Sequence, residues 1–394
     1  MSKEERLTDE TWLASWYASP EPVWGDEFPF PTKLPRRLHY QTLRQTARVS
    51  VGGRRVRIVL SNEYGKRPLA IGEATIAIAD GDARVVPGTV RKLTFSGHRG
   101  IAVPAGAKAL SDPVELDVAP LASVSVSVFF PEMTVPDTFH WDARQTAYMA
   151  QGNRVSDVVL QADAMTDASM FLTTVFVDAP ENAGTVVSLG DSITDGAGAT
   201  LNANTRWTNY LAERLVSRNV SVLNAGISGG RLLRNVKGEN ALARFDRDVL
   251  NQPNIKSVIV IIGTNDIGMP GMAFAPTESP PTLDELIAGY RQLIARARAR
   301  NVRIVGGTLP PFELYYTTAK ERLRQQVNAW IREGEFDAVF DLDALSRNPS
   351  RPSSFLPAFD SGDHLHPGDA GNLLIAKSIE LNLLLPQGRG GSGA

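Results

Sequence analysis

The sequence predicts an α/β domain built on a parallel sheet, preceded by a β-rich domain of sandwich or jelly-roll type. Two observations carry this. Up to residue 182, short period-2 apolar runs recur between Pro and Gly turns; from residue 183, short apolar strands alternate with stripes of helical period. The pattern changes at Asp178-Ala179-Pro180-Glu181-Asn182, so the expected division is 1–182, 183–386 and a flexible Gly-rich tail over 387–394.

In the first part, Val49 and Val51 alternate with polar residues, Gly52-Gly53 offers a tight turn, and Val56, Ile58 and Leu60 resume the alternation. That pattern predicts a β-hairpin. Similar runs occupy Ala74 to Ala79, Val114-Leu116-Val118 and Val124-Ser125-Val126-Ser127-Val128, and Phe171 to Val177 closes the domain. Trp12, Trp16, Trp24 and Trp141 have the chemistry to stack on sugars, but aromatics of a sandwich belong more often to its core. A free-standing carbohydrate-binding module is therefore the weaker reading.

In the second part the strand candidates are Val186–Leu189, Val220–Leu223, Ser257–Ile262, Val302–Gly306 and Ala338–Phe340. Trp207, Leu211 and Leu215 mark one helix; Leu283, Leu286, Ile287, Tyr290, Leu293 and Ile294 mark another. Thr282-x-x-Glu285 and Thr318-x-x-Glu321 predict capping boxes, the second leading into Leu323, Val327, Trp330 and Ile331. Short apolar strands alternating with helices predict a parallel sheet covered on both faces.

Composition narrows the function. The chain has 394 residues, 43% hydrophobic and 21% charged, with a formal net charge of −2. Its basic residues are scattered, which argues against nucleic acid or an anionic membrane as partner. No apolar run approaches the roughly 18 residues of a membrane-spanning helix. Cysteine is absent, which excludes disulfides, thiolate metal sites and a cysteine nucleophile. Met1 to Arg6 is charged and leads into no apolar stretch, so no signal peptide is expected. As written the chain reads as cytoplasmic, or as secreted if a signal has been removed. Oligomeric state is not legible.

The chemistry centres on Gly190-Asp191-Ser192, which follows the apolar run Thr185 to Leu189 and precedes Thr194-Asp195-Gly196. A serine at the carboxyl end of a buried strand is where an open α/β sheet exposes a reactive group. A serine hydroxyl needs a base, a group orienting that base, and donors for an oxyanion. Among five histidines, His364 and His366 fall in Asp363-His364-Leu365-His366-Pro367, where Asp363 and His366 are close enough for one turn to join them. Asn224-Ala225-Gly226-Ile227-Ser228-Gly229-Gly230 and Gly263-Thr264-Asn265-Asp266 follow the second and third strands, so three strands end in candidate groups on one sheet edge.

These four segments, in this order, resemble the SGNH (GDSL) hydrolase superfamily. The resemblance implies a flavodoxin-like α/β/α domain that hydrolyses carboxylic esters through an acyl-enzyme, without metal or other cofactor. It makes Ser192 the nucleophile, His366 the base and Asp363 its orienter. The oxyanion hole then consists of the Ser192 N–H, the Gly229 N–H and the Asn265 amide, with Gly226 a weaker candidate than Gly229. Trp12-Leu13-Ala14-Ser15-Trp16, Leu60 to Gly65, Ser111-Asp112-Pro113 and Arg244-Phe245-Asp246-Arg247-Asp248 look like a two-domain subgroup. That subgroup is associated with arylesterase, acylhydrolase and xylan-deacetylase activities, which implies short-acyl esters, acetylated carbohydrates or aryl esters as substrates. Arg231 departs from the pattern, which has Asn-Arg after the paired glycines.

Competing readings remain. Gly226-Ile227-Ser228-Gly229-Gly230 fits a Gly-x-Ser-x-Gly nucleophile elbow with Ser228 as nucleophile, but its glycines discourage the helix an elbow needs. Lipase, thioesterase or lysophospholipase activity on longer acyl chains would use the same triad. Asp191, Asp195, Asp363, His364 and His366 offer hard ligands to a divalent ion, although His364-x-His366 lacks the helical His spacing of zincins. Gly196-Ala197-Gly198 lacks the third glycine of a dinucleotide loop. The Gly/Pro-rich stretch Ile267 to Pro281 is the expected substrate-contacting loop.

Overall fold

The computed structural model describes residues 11–26 and 28–385; the charged start Met1 to Arg6 and the tail expected over 387–394 lie outside the described residues. Residues 12–178 form two large antiparallel sheets. One joins Trp12–Tyr17, Leu172–Asp178, Gly53–Ser61 and Val114–Val118 in that order, with Lys108–Leu110 also on Gly53–Ser61. The other runs Ala164–Thr166, Ala147–Gln151, Gln41–Arg48, Ser123–Phe130, Glu73–Ile78, Arg91–Leu93. Leu13, Ile58 and Val175 of the first sheet and Leu43, Ile76 and Val126 of the second share one core, as expected of a sandwich.

One local expectation of this part needs correction. Gly52-Gly53 does not close a hairpin: Gln41–Arg48 pairs with Ser123–Phe130 and Ala147–Gln151, whereas Gly53–Ser61 pairs with strands of the other sheet. Neither glycine has a positive φ, so the two-residue turn that Gly-Gly favours is absent. The chain instead crosses between sheets, and a Cβ on Gly52 would lie 2.3 Å from the Val118 carbonyl oxygen. Both faces of Ser123–Phe130 are covered, whatever its Val-Ser alternation. Ser125 and Ser127 are buried because Arg44, itself buried, donates from Nε to Ser127 Oγ at 2.8 Å and carries a loop over that face.

From Gly184 the chain is α/β. Strands Val220–Gly226, Gly184–Gly190, Ile255–Ile261, Arg303–Gly307 and Ala338–Phe340 lie in that order, all parallel, the 2-1-3-4-5 arrangement of a flavodoxin-like sheet. Helices Ala241–Phe245, Leu283–Ala299 and Thr318–Arg332 cover one face, and Trp207–Leu215 and Asp369–Ser378 cover the other. Thr282 and Glu285 make the expected capping box. At the next helix the cap is Thr317, which accepts from Lys320 N; Glu321 turns to Arg324 instead, so Thr318-x-x-Glu321 is not a box. No described helix is long and apolar enough to cross a membrane.

The two parts are fastened by buried charge. Arg244 and Asp248, both fully buried, pair at 2.7 Å, and Asp248 also accepts from Tyr17 Oη at 2.7 Å and Ser19 Oγ at 2.9 Å. Asp246–Leu250 is a π-helical turn, and Arg247 reaches Glu63 and Tyr64 from it. Tyr17 and Ser19, just after Trp12 to Trp16, thus meet Arg244 to Asp248 at a seam that Leu60 to Gly65 joins through Glu63 and Tyr64. At its edge Ser15 Oγ accepts from the Ser50 and Val51 amides, fixing the crossing before Gly52.

Candidate active site

Ser192 opens the short helix Ser192–Asp195 just beyond the carboxyl end of strand Gly184–Gly190, which lies between Val220–Gly226 and Ile255–Ile261. Asp191 caps that helix by accepting from Ile193 N, and burial pushes its carboxyl up to about 7. Gly190 is required by space, since a Cβ there would meet Thr194 Oγ1 at 2.1 Å and Ile261 O at 2.7 Å. The neighbouring strands deliver Gly229 and Asn265 to the same edge, on either side of Ser192.

The Asp363 to Pro367 segment folds back so that His366 Nε2 is 2.8 Å from Ser192 Oγ, across 174 residues of chain. His366 Nδ1 lies 2.6 Å from Asp363 Oδ2, while Asp363 Oδ1 accepts from the Leu365 and His366 amides. Partial burial would raise the Asp363 carboxyl, but its bonds to His366 hold it well below the usual carboxylate range. Nδ1 therefore carries the proton donated to Asp363, and Nε2 is left to accept from the serine hydroxyl.

The candidate oxyanion donors differ in how free they are. Gly226 N–H donates to Asn224 Oδ1 at 2.8 Å, so it is spent. Gly229, at φ +80, makes no such bond among the described residues and lines the cavity beside Ser192. Ser192 N–H lies at the first helical position, where amides have no intrahelical partner. Asn265 accepts from Tyr315 Oη at 3.4 Å and donates one Nδ2 hydrogen to Gly230 O at 3.0 Å, leaving the second hydrogen for a ligand. Asp266 accepts from Leu232 and Leu233 N–H, tying the loop after Gly229 to the Asn265 turn. Arg231 works alongside it: buried, it pairs with Glu278 at 2.6 Å and so clamps this loop to the Gly/Pro-rich stretch.

The competing assignments disperse. Ser228 has no histidine partner; its hydroxyl donates to Asp142 Oδ2 at 3.2 Å and its amide to Asp195 Oδ2 at 2.8 Å. No helix follows it until Ala241–Phe245, so the elbow does not form. His364 sits on an exposed turn and pairs with Asp360 at 2.7 Å. Asp195 pairs with His140 at 2.9 Å, away from His366.

A cavity of about 360 Å³ opens over Ser192. The expected loop contributes Met269, Met272 and Phe274. The opposite wall was not anticipated: Phe28, Phe30, Trp141, Asp142 and Arg144 come from the β-rich part. Phe30 stacks on Phe274 at 5.0 Å between ring centroids, so the two parts close over the serine together. Of the four tryptophans weighed as sugar platforms, Trp141 alone lines this cavity. The dense run Phe139 to Arg144, holding one of only five histidines, was the available signal.

A flavodoxin-like sheet with a serine at the end of its first strand in sequence, on an antiparallel β-rich domain, defines an α/β hydrolase of the GDSL type. Residues 188–374 match the GDSL-like lipase/acylhydrolase family, and that part of the chain belongs to it: the protein is an enzyme acting on esters. Similar solved structures include an acetyl xylan esterase from Geobacillus stearothermophilus, 22% identical, covering 52% of this chain and 96% of its own, with a TM-score of 0.40. A psychrotrophic esterase from Pseudoalteromonas sp. is 18% identical over 50% of this chain and 93% of its own, with a TM-score of 0.36. A GDSL-like lipase from Bacteroides thetaiotaomicron is 17% identical over 49% and 84%, with a TM-score of 0.35. No curated protein matches the sequence significantly.

Proposed function

We propose that the chain is a serine esterase of short-acyl carboxylic esters, with aryl esters and acetylated carbohydrates as the substrate classes. The observation that carries this is the continuous chain Asp363–His366–Ser192, with bonds of 2.6 and 2.8 Å. Ser192 Oγ attacks the ester carbonyl carbon while His366 Nε2 takes its proton. The resulting oxyanion accepts from the Ser192 and Gly229 amides and from Asn265 Nδ2. Its collapse breaks the ester bond as His366 returns the proton to the leaving alcohol. Water, activated by the same imidazole, then releases the acyl group. Asp363 keeps the tautomer in place and stabilises the imidazolium. The cavity, at the low end of small-molecule sites, favours a small acyl group beside a ring-sized alcohol over a long chain.

The test combines labelling and a substrate series. An alkyl phosphonate fluoride should modify Ser192 stoichiometrically, as read by peptide mass spectrometry, and abolish hydrolysis of para-nitrophenyl acetate. Across para-nitrophenyl esters of rising chain length kcat/KM should fall beyond butyrate. A label on Ser228 with Ser192 untouched overturns the assignment, and a rise toward long chains points to a lipase.

A further inference from the structure

Two cations of the cavity are left without a counter-charge in hydrogen-bond contact. Lys237, on the stretch after Gly229-Gly230, is 5% exposed, and its Nζ makes no hydrogen bond or ion pair among the described residues. Nζ lies 3.4 Å from the centroid of the Trp141 ring and 4.7 Å from that of Phe30. Its alkyl chain runs beside the oxyanion candidate, since a Cβ on Gly229 would be 3.4 Å from Lys237 Cδ. None of the carboxylates around it hydrogen-bonds to Nζ, and each makes a hydrogen bond to another group. Asp195 holds His140 and the Ser228 amide, Asp142 accepts from Ser228 Oγ, and Glu21 accepts from Trp141 N. Burial lowers the Lys237 pKa to about 8 against the pull of these groups, so the amine is mostly charged at neutral pH.

Arg144 is a second, independent case. It holds a left-handed φ of +51, its buried Nε has no partner, and its nearest carboxylate, Asp142, stands at 3.7 Å. The third cation on the cavity, Lys33, is matched by Asp167 at 2.7 Å. A largely buried cation that lines a cavity without a hydrogen-bonded counter-charge is costly unless a ligand supplies one.

We propose that the cavity takes esters whose molecule also carries a carboxylate, held by Lys237 with Arg144 as the second cation of the same subsite. This rests on the serine-esterase reading above. The carboxylate can belong to the alcohol, as in a hydroxyaryl acid or a uronic acid, or to the acyl group, as in the half-ester of a dicarboxylic acid. In either case it replaces water around Nζ with a charge-assisted hydrogen bond.

The experiment compares two matched pairs: para-acetoxybenzoate with its methyl ester, and mono(para-nitrophenyl) succinate with para-nitrophenyl butyrate. The readout is the ratio of kcat/KM within a pair, in which a general loss of activity cancels. For wild type against Lys237→Met, the ratio should drop about 10- to 100-fold for the pair whose carboxylate reaches the site. Lys237→Arg should keep most of the preference, and Arg144→Met should reduce it. A drop in the first pair places the carboxylate on the alcohol; a drop in the second places it on the acyl group. Equal ratios in wild type and Lys237→Met for both pairs overturn the proposal and leave Lys237 a packing cation on Trp141. Should Lys237→Met not fold, inhibition of wild type decides: para-hydroxybenzoate must inhibit neutral-ester hydrolysis more strongly than methyl para-hydroxybenzoate. Absence of Ser192-dependent hydrolysis of every ester counts instead against the esterase reading.

Discussion

Among the described histidine–aspartate pairs, those of His366 and His140 each lead to a serine, and their surroundings give them different work. His366 has Asp363 on Nδ1 and the Ser192 hydroxyl on Nε2, at the mouth of a cavity. His140 has the Ser19 carbonyl on Nδ1 at 2.9 Å and Asp195 on Nε2 at 2.9 Å, with Glu21 beside it, all buried. Both of its nitrogens face groups that only accept, so both must donate. Burial alone would lower the pKa of His140, but Asp195 and Glu21 raise it to about 9. An imidazolium locked on both sides cannot exchange protons with Ser228; it can only hold Asp195, which holds the Ser228 amide next to Gly229. The lesson is that residue identity does not make a triad. An unoccupied nitrogen beside a hydroxyl does.

The sharpest break of this comparison is Ser192→Ala or His366→Ala against Ser228→Ala. The first two should lower kcat by about 10⁴-fold or more, whereas Ser228→Ala should stay within about tenfold of wild type in steady-state ester hydrolysis. A severe loss in Ser228→Ala alone would exchange the roles of the two clusters. Next in size is Asn265→Ala, expected to cost about 10²–10³ in kcat with little change in KM, because the donor acts on the oxyanion and not on the ground state. His140→Gln should be milder: kcat down about tenfold through a loosened Ser228–Gly229 turn, with the acidic limb of the pH–rate profile unmoved. A shifted acidic limb would mean that His140 itself takes part in proton transfer.

The smallest effect is on stability. The folded pKa of His140 lies above its ordinary value of 6.5, so its contribution is full below about 6.5 and is lost as pH rises through about 9. Glu21, raised by burial to about 7, loses its share earlier, between about 4.5 and 7. Lys237, lowered to about 8, works in the opposite sense above that pH. The informative quantity is therefore a difference: between pH 7 and 9 the wild-type Tm should fall more than that of His140→Gln. Parallel curves in differential scanning fluorimetry would show that the pair does not titrate with folding.

What the sequence made legible follows from how local each signal is. The five parallel strands, the Thr282 cap and the Asp363–His366 spacing are encoded within a few residues, and each is found where its pattern put it. Gly52-Gly53 was misread because alternation identifies a strand but not its partner, and the glycines serve a close crossing against Val118. Alternation is equally silent on what covers a strand: one distant arginine, Arg44, helps to bury Ser125 and Ser127. At the site, Ser192, Gly229 and Asn265 were visible as strand-end motifs. Arg144 and Lys237 were not, and Trp141 was weighed only as one of four sugar platforms, because only the docking of one part on the other brings them above the serine. Arg231 broke the expected motif, and its ion pair with Glu278 across 47 residues supplies the reason.

The 174 residues between Ser192 and His366 also order events during synthesis. Domains form roughly as they emerge, from the N-terminus onward. The β-rich part, with its aromatic wall, and the strand bearing Ser192 are made long before Asp363 and His366 leave the ribosome. While the 174 residues after Ser192 are made, the growing chain carries the proposed nucleophile without its proposed base. The turn that brings carboxylate and imidazole together is thus made only after all five strands of the parallel sheet.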